Sequence, residues 1–105
     1  MSRLLLGAAI LSEVSGSLAL RAALDHPGWY AWVAIGYSAS FVLLALVLRR
    51  GMPVGVAYGI WAACGVAITA VAGAFLFDDP LNWTMAAGFA AIIGGVVLIE
   101  TGART

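Results

Sequence analysis

Residues 54 to 77 read VGVAYGIWAACGVAITAVAGAFLF, a stretch without a charged side chain. A helix needs roughly 20 mainly apolar residues to cross about 30 Å of hydrocarbon, so this stretch is long enough to span a bilayer. The whole chain has 105 residues, of which 64% are hydrophobic and 10% are charged. Soluble domains carry about 25% charged residues. The sequence therefore predicts an integral membrane protein.

Three further segments have a similar length and composition. The four predicted spans cover about residues 4–24, 29–48, 54–77 and 81–99. Each connector between them combines charged residues with a proline, which lacks a backbone N–H and disfavours a helical residue before it. We therefore expect an all-α integral membrane protein with four transmembrane helices per subunit, in a single domain over residues 1–105. A cleaved signal peptide is disfavoured, because Glu13 and Arg21 interrupt its apolar core.

The rest of the composition excludes several classes of protein. The chain has no basic face with which to meet nucleic acid. Its single cysteine, Cys64, excludes a cysteine-rich metal site, and no phosphate-binding loop of the kind used by ATP-driven pumps is present. We expect no catalytic residues, no metal and no cofactor.

The arginines predict the orientation. Arg3, Arg49, Arg50 and Arg104 fall on the side of both termini, and Arg21 falls on the opposite side. Because arginine and lysine near the ends of spans favour the cytoplasmic side, we expect both termini to face the cytoplasm, in the cell (plasma) membrane.

Glu13 lies near the middle of the first predicted span. A charge at that depth costs about 2.5 to 3.5 kcal/mol on insertion scales, and such residues usually mark a path for ions or substrates. Arg21 is roughly 12 Å away along the helix axis, too far to neutralise the acid. Gly16 and Ser17, one turn on, supply space and a hydrogen-bond donor. Glu13 is thus predicted to exchange a proton for a cation, the alternative being a protonated acid that serves packing alone.

The second and third spans both carry aromatic residues within their apolar stretches. Tyr58, Trp61 and Gly65 share one helical face. Aromatic faces attract organic cations by about 2 kcal/mol or more when desolvated, although such a stripe can also be core or lipid contact. Tyr37 and Tyr58 need hydrogen-bond partners in hydrocarbon, and Glu13 is the expected acceptor. Four other aromatic residues lie at predicted helix starts and are expected to be interfacial anchors: Trp29, Tyr30, Trp32 and Trp83.

The fourth span carries Gly88, Ala91 and Gly95 at helical spacing. Small residues on one stripe let helices approach closely in lipid, so this stripe is predicted to be an association face.

Taken in order, these segments resemble the small multidrug resistance family of proton-coupled exporters. The resemblance is carried by four stretches: 9–17 (AILSEVSGS), 37–41 (YSASF), 52–61 (MPVGVAYGIW) and 88–95 (GFAAIIGG). It implies an antiparallel dimer, either a homodimer or a heterodimer with a related chain. In such a dimer Glu13 of each subunit would bind either protons or a hydrophobic cation in a shared site that opens to the two sides alternately.

The resemblance also implies roles for individual residues. Tyr37, Tyr58 and Trp61 would line the cation pocket, beside Gly16 and Ser17. Gly88 and Gly95, with Ala91 on the same stripe, would lie at the dimer contact. Gly65 would mark a bend in the third helix, although Ala63 stands where the family often has a second glycine.

The subtype and the wider function leave alternatives open. Guanidinium exporters have a tryptophan at the position of Gly16 and lack the tyrosine matching Tyr37, so this chain is more similar to the exporters of quaternary-ammonium and other drug cations. The alternatives are a guanidinium-type transporter, a lipid-carrier transporter, or a non-transporting accessory subunit in which Glu13 is structural.

Overall fold

The computed structural model describes residues 2–104 and is built from four long helices. They are α1 (Ser2–Ala22), α2 (Tyr30–Arg49), α3 (Val54–Leu76) and α4 (Trp83–Arg104), with a short 3₁₀ turn (Pro27–Trp29) before α2. Each is long and apolar enough to cross a membrane, which confirms the all-α, four-span prediction. Met1 and Thr105, the limits of the predicted domain, lie outside the described residues, as does the side chain of Arg104.

The helix boundaries differ from the predicted spans by a few residues. Helix α1 ends at Ala22, two residues before the predicted end of the span at residue 24. Ahead of Pro27, the backbone N–H groups of residues 23–26 donate to carbonyl groups in the last turn of the helix. Helix α4 begins at Trp83 because the Asn82 side chain accepts a hydrogen bond from the Met85 backbone N–H (2.9 Å), as an N-cap does. The same helix continues past residue 99 to Arg104.

Helix α1 is at the centre of the packing. Helices α2 and α3 both pack against it, whereas α4 packs against α3. The buried core comes from α1, α2 and α3 and consists of Leu6, Ala9, Ile10, Val14, Leu44, Val47, Ala57, Ile60 and Trp61. The Cα atoms extend over 46 × 34 × 16 Å, so the subunit is a flat slab with α4 at its edge rather than a closed bundle.

An ion pair ties α1 to a later part of the chain at each end of the slab. Arg3 pairs with Glu100 of α4 (2.7 Å), near the termini. Arg21 pairs with Asp79 in the α3–α4 connector (2.6 Å), at the opposite end. We call that opposite end, which holds the α1–α2 and α3–α4 connectors, the connector end.

Candidate functional site

Glu13 lies at the middle of α1 with its carboxyl group between helices. Its Oε1 accepts a hydrogen bond from the Ser17 hydroxyl, one turn further on (3.2 Å). Its Oε2 is buried and has no hydrogen-bond partner among the described residues. One half of the carboxyl group is therefore satisfied inside the subunit and the other half is not.

Tyr37 of α2 reaches the acid through Ser17. The Tyr37 hydroxyl and Ser17 Oγ are 2.8 Å apart. Since Ser17 gives its hydrogen to Glu13, Tyr37 donates to Ser17, and the three residues form a chain of hydrogen bonds that ends on the carboxylate. The predicted direct bond from a tyrosine to Glu13 is therefore wrong for Tyr37, because Ser17 intervenes. Within the described chain Tyr58 makes no hydrogen bond to Glu13 either.

Two glycines bring α1 and α2 close enough for this chain. A Cβ on Gly16 would lie 3.2 Å from Cδ1 of Tyr37, so the tyrosine ring occupies the space that a side chain there would need. A Cβ on Gly36 would lie 3.0 Å from the Gly16 Cα. Gly36 was not predicted to have this role, although a small residue in each of two consecutive spans is a known signal of close helix packing.

Gly65 of α3 faces the acid from the other side. A Cβ at this position would be 3.0 Å from Cδ of Glu13 and 3.4 Å from its Oε1, and would overlap Oε2. The absent side chain of Gly65 thus provides the space for the carboxyl group. Helix α3 is continuous through this residue, from Val54 to Leu76. The bend predicted at Gly65 stays a prediction.

Trp61 is fixed in the core, one turn before Gly65. Its indole N–H donates to Ser40 Oγ (2.9 Å), and the Ser40 hydroxyl donates to the backbone carbonyl of Ala9 (2.8 Å). Ser40 is fully buried, and Trp61 is 8% exposed. Sequence reasoning missed Ser40, although a serine inside an apolar span needs partners and therefore signals a polar contact.

An aromatic group extends from Trp61 to the surface of the subunit. The centroid of the Trp61 ring lies 5.4 Å from that of Phe41 and 5.6 Å from that of Tyr58, and both ring pairs are tilted. Phe41 and Tyr58 are more than half exposed. Of the aromatic rings predicted to hold a cation, Tyr58 therefore lies at an open side of the slab, with the buried Trp61 ring behind it.

Glu13 lines neither of two cavities formed by the described residues. One, of about 460 Å³, lies between α3 and α4 and is entirely apolar. The other, of about 540 Å³, lies among α1, the start of α2 and the end of α3. The Glu13 carboxyl group lies instead between α1 and α3, where its Oε2 is buried against Gly65.

The α4 stripe points away from the rest of the described chain. Gly88 and Ala91 are exposed and Gly95 is half-buried. A Cβ on Gly88 or Gly95 would meet nothing within 4 Å. The small residues of this stripe thus leave a surface to which another helix has access.

Neither arginine of α1 forms an ion pair with Glu13. Arg3 is paired with Glu100 and Arg21 with Asp79, at the two ends of the helix. Among residues 2–104 no group of three or more potential metal ligands is present.

Comparison with known proteins gives two findings. A family model described as "Small Multidrug Resistance protein" matches residues 1–92. The Multidrug resistance protein EbrB of Bacillus licheniformis is 44% identical over 98 residues, which cover 91% of this chain and 82% of that protein.

Proposed function

Since this chain belongs to the small multidrug resistance family, and is therefore a multidrug efflux transporter and not an enzyme, we propose that it exchanges protons for lipophilic cations at Glu13. The observation that carries the proposal is the missing counter-ion. Both arginines of α1 are engaged with other acids, and Glu13 Oε2 has no hydrogen-bond partner in the described chain. A carboxyl group in that position is stabilised either by a proton or by a cation from outside.

The hydrogen-bond chain supports both states of the acid. When the carboxyl group is ionised, Ser17 and Tyr37 supply donors that stabilise the negative charge. When a proton is bound, the neutral acid no longer attracts a cation. Proton and cation therefore compete for one group, and that competition is the basis of exchange.

The proposed substrates are quaternary-ammonium and other hydrophobic cations. Tyr58 offers an exposed aromatic ring at the open side of the slab, and the buried Trp61 ring packs against it in a tilted orientation. Such faces bind a cation through its charge and its apolar surface without demanding one shape, which fits broad specificity. Gly16 favours this subtype over a guanidinium-type exporter, because the Tyr37 ring fills the space in which a tryptophan at position 16 would have to lie.

We further propose that two copies, or this chain and a related one, complete the site in an antiparallel dimer. The flat shape of the subunit and the unpartnered Oε2 of Glu13 support completion of the site by a partner subunit. The exposed stripe of Gly88, Ala91 and Gly95 supports close contact between α4 helices. We place the dimer in the plasma membrane, with the termini of this chain in the cytoplasm, on the strength of the arginine bias.

Exchange assays on proteoliposomes test the central proposal. Uptake of tetraphenylphosphonium driven by a pH gradient should be abolished by Glu13→Gln, which cannot lose or gain the proton. Glu13→Asp should retain uptake with an altered pH dependence. The matched control is Glu100→Gln, which changes the other glutamate, whose partner is Arg3 at the end of the slab, and should leave uptake intact.

Two results would count against the proposal. Full activity of Glu13→Gln would make the acid structural, as in an accessory subunit. Binding of tetraphenylphosphonium that stays constant between about pH 3 and 9 would exclude competition with a proton, since carboxyl groups in proteins change protonation state within that range.

A further inference from the structure

A second set of cation-binding elements lies at the connector end, apart from Glu13. The guanidinium group of Arg21 forms an ion pair with Asp79 (2.6 Å) and lies over the Phe77 ring, 5.2 Å from its centroid. A carboxylate beside an aromatic face is a combination that binds organic cations. Here the bound cation is a side chain of the protein itself.

The connector holds Asp79 in place for this contact. Asp78 adopts a left-handed backbone conformation (φ 56°), which is rare for a residue with a side chain. This turn lets the Asp79 backbone N–H donate to the Gly73 carbonyl (3.4 Å). A Cβ on Gly73 would be 2.8 Å from Asp79 Oδ2, so the carboxylate rests against bare backbone of α3. Several features of the turn therefore aim this acid at Arg21.

An apolar cavity of about 540 Å³ adjoins the pair through Phe77. Trp29 and Trp32 also line it, and its remaining lining residues are Ser15, Leu18, Ala19, Ala22 and Leu76. Arg21 and Asp79 lie beside Phe77, just outside this lining. The α1 residues of this lining cover roughly 10 Å of the helix axis, which matches the size of an aromatic cation. Ser15 follows Glu13 by two residues and so projects from nearly the opposite side of α1. The cavity is thus separated from Glu13 by the helix itself.

Charge at the connector end favours a cation over an anion in this cavity. Three aspartates lie there, Asp25, Asp78 and Asp79, against the single arginine Arg21. An anionic lipid headgroup would meet net repulsion at this end, whereas an organic cation would be attracted.

We propose that this cavity is a second binding site for a hydrophobic organic cation, which replaces the Arg21 guanidinium against Phe77 and Asp79. Arg21 itself occupies the charged part of the site, through its contacts with Asp79 and Phe77. Binding of the ligand separates Arg21 from Asp79 and so releases the α3–α4 connector from α1. The site goes beyond the exchange proposed at Glu13, since it uses none of the residues proposed for that exchange.

Equilibrium binding of tetraphenylphosphonium to the protein in nanodiscs tests the proposal. All measurements use the Glu13→Gln background, so that the outcome does not depend on the site at Glu13. Adding Arg21→Gln removes the competing cation and should tighten binding about fivefold, the scale of one cation–π contact. Asp79→Asn or Phe77→Leu, added to that variant, should each reverse the gain. Arg21→Lys keeps the ion pair with Asp79 but removes the guanidinium group from the Phe77 ring, so it should tighten binding by a smaller factor. This variant provides the same test if Arg21→Gln does not fold.

Two matched controls and a neutral probe complete the design. Arg3→Gln breaks the ion pair at the other end of the slab and should not change binding. Asp78→Asn removes the same charge as Asp79→Asn from the neighbouring residue and should have a clearly smaller effect. The proposal is overturned if neither change at Arg21 tightens binding, or if the two aspartate variants weaken binding equally. It is also overturned if neutral triphenylphosphine oxide binds as tightly as the cation, which would make the cavity an apolar groove for lipid.

Discussion

The contact between Gly65 and Glu13 yields a quantitative prediction. Replacing Gly65 with alanine adds one methyl group on the face of α3 that meets the carboxyl group. Its Cβ would lie 3.0 Å from Cδ of Glu13, and ordinary van der Waals contact begins at 3.4 Å. The carboxyl carbon must therefore move by about 0.4 Å, and Oε2, which is closer, must move further.

A shift of this size is enough to change binding. The Ser17–Glu13 hydrogen bond is already long at 3.2 Å. A further displacement of about 0.4 Å along the bond takes it to about 3.6 Å, outside hydrogen-bond range. Losing that bond costs about 0.5 to 1.5 kcal/mol, and forcing the extra methyl into a packed site costs about 1 to 3 kcal/mol. Alanine recovers about 0.5 to 1 kcal/mol of helix stability relative to glycine, so the net penalty lies between about 0.5 and 4 kcal/mol, with its centre near 2 kcal/mol.

Equilibrium binding of tetraphenylphosphonium is the decisive assay. Gly65→Ala should weaken binding roughly 30-fold, which corresponds to about 2 kcal/mol, while the protein stays folded. The matched control is Gly59→Ala on the same helix, where the added Cβ would make only an ordinary contact with Ile99 (3.5 Å). That variant should bind as the parent does. If Gly65→Ala leaves affinity unchanged and slows only transport, Gly65 acts as the bend implied by the family resemblance, and the reasoning from the carboxyl contact is refuted.

Three further substitutions test the neighbouring contacts. Tyr37→Phe removes the donor to Ser17 that helps to stabilise the ionised form of Glu13. The pH of half-maximal cation binding should therefore rise by about half to one unit. An unchanged midpoint would contradict the hydrogen-bond chain. Gly16→Trp should displace the Tyr37 ring and reduce binding about tenfold or more, measured with the same probe; retained affinity would mean that the ring is free to move. Gly95→Leu should weaken self-association in cross-linking experiments more than Gly94→Leu, its matched control on another face of α4; equal effects would place the contact elsewhere.

The fold was predictable because hydrocarbon imposes one rule on every segment. A long uncharged stretch such as 54–77 must be a helix to satisfy its backbone, and charge with proline marks each connector. The boundaries were less predictable, since they depend on local hydrogen bonds. Helix α4 starts at Trp83 because the Asn82 side chain caps it. A hydropathy pattern does not reveal such a cap, although the known preference of asparagine for N-cap positions indicates one.

The candidate site was predictable as a set of residues but not as a set of contacts. Sequence spacing placed Ser17 one turn after Glu13 on α1, and their hydrogen bond is present. It could not show that Ser17 would stand between the acid and Tyr37, because that depends on how closely α1 and α2 approach. Nor could spacing along α3 reveal that Gly65 touches the carboxyl group, since contacts between helices depend on packing rather than on periodicity.

The spacing of charges along α1 explains why Glu13 is left without a counter-ion. An acid and an arginine three or four residues apart would neutralise each other on the helix surface. Here Arg3 lies ten residues before Glu13 and Arg21 eight residues after it, so neither reaches it, and each arginine has an acid of its own at its end of the slab. The same two ion pairs tie α1 to α4 and to the connector that precedes it. These contacts join the helix that carries the acid to the helix proposed to contact a second subunit.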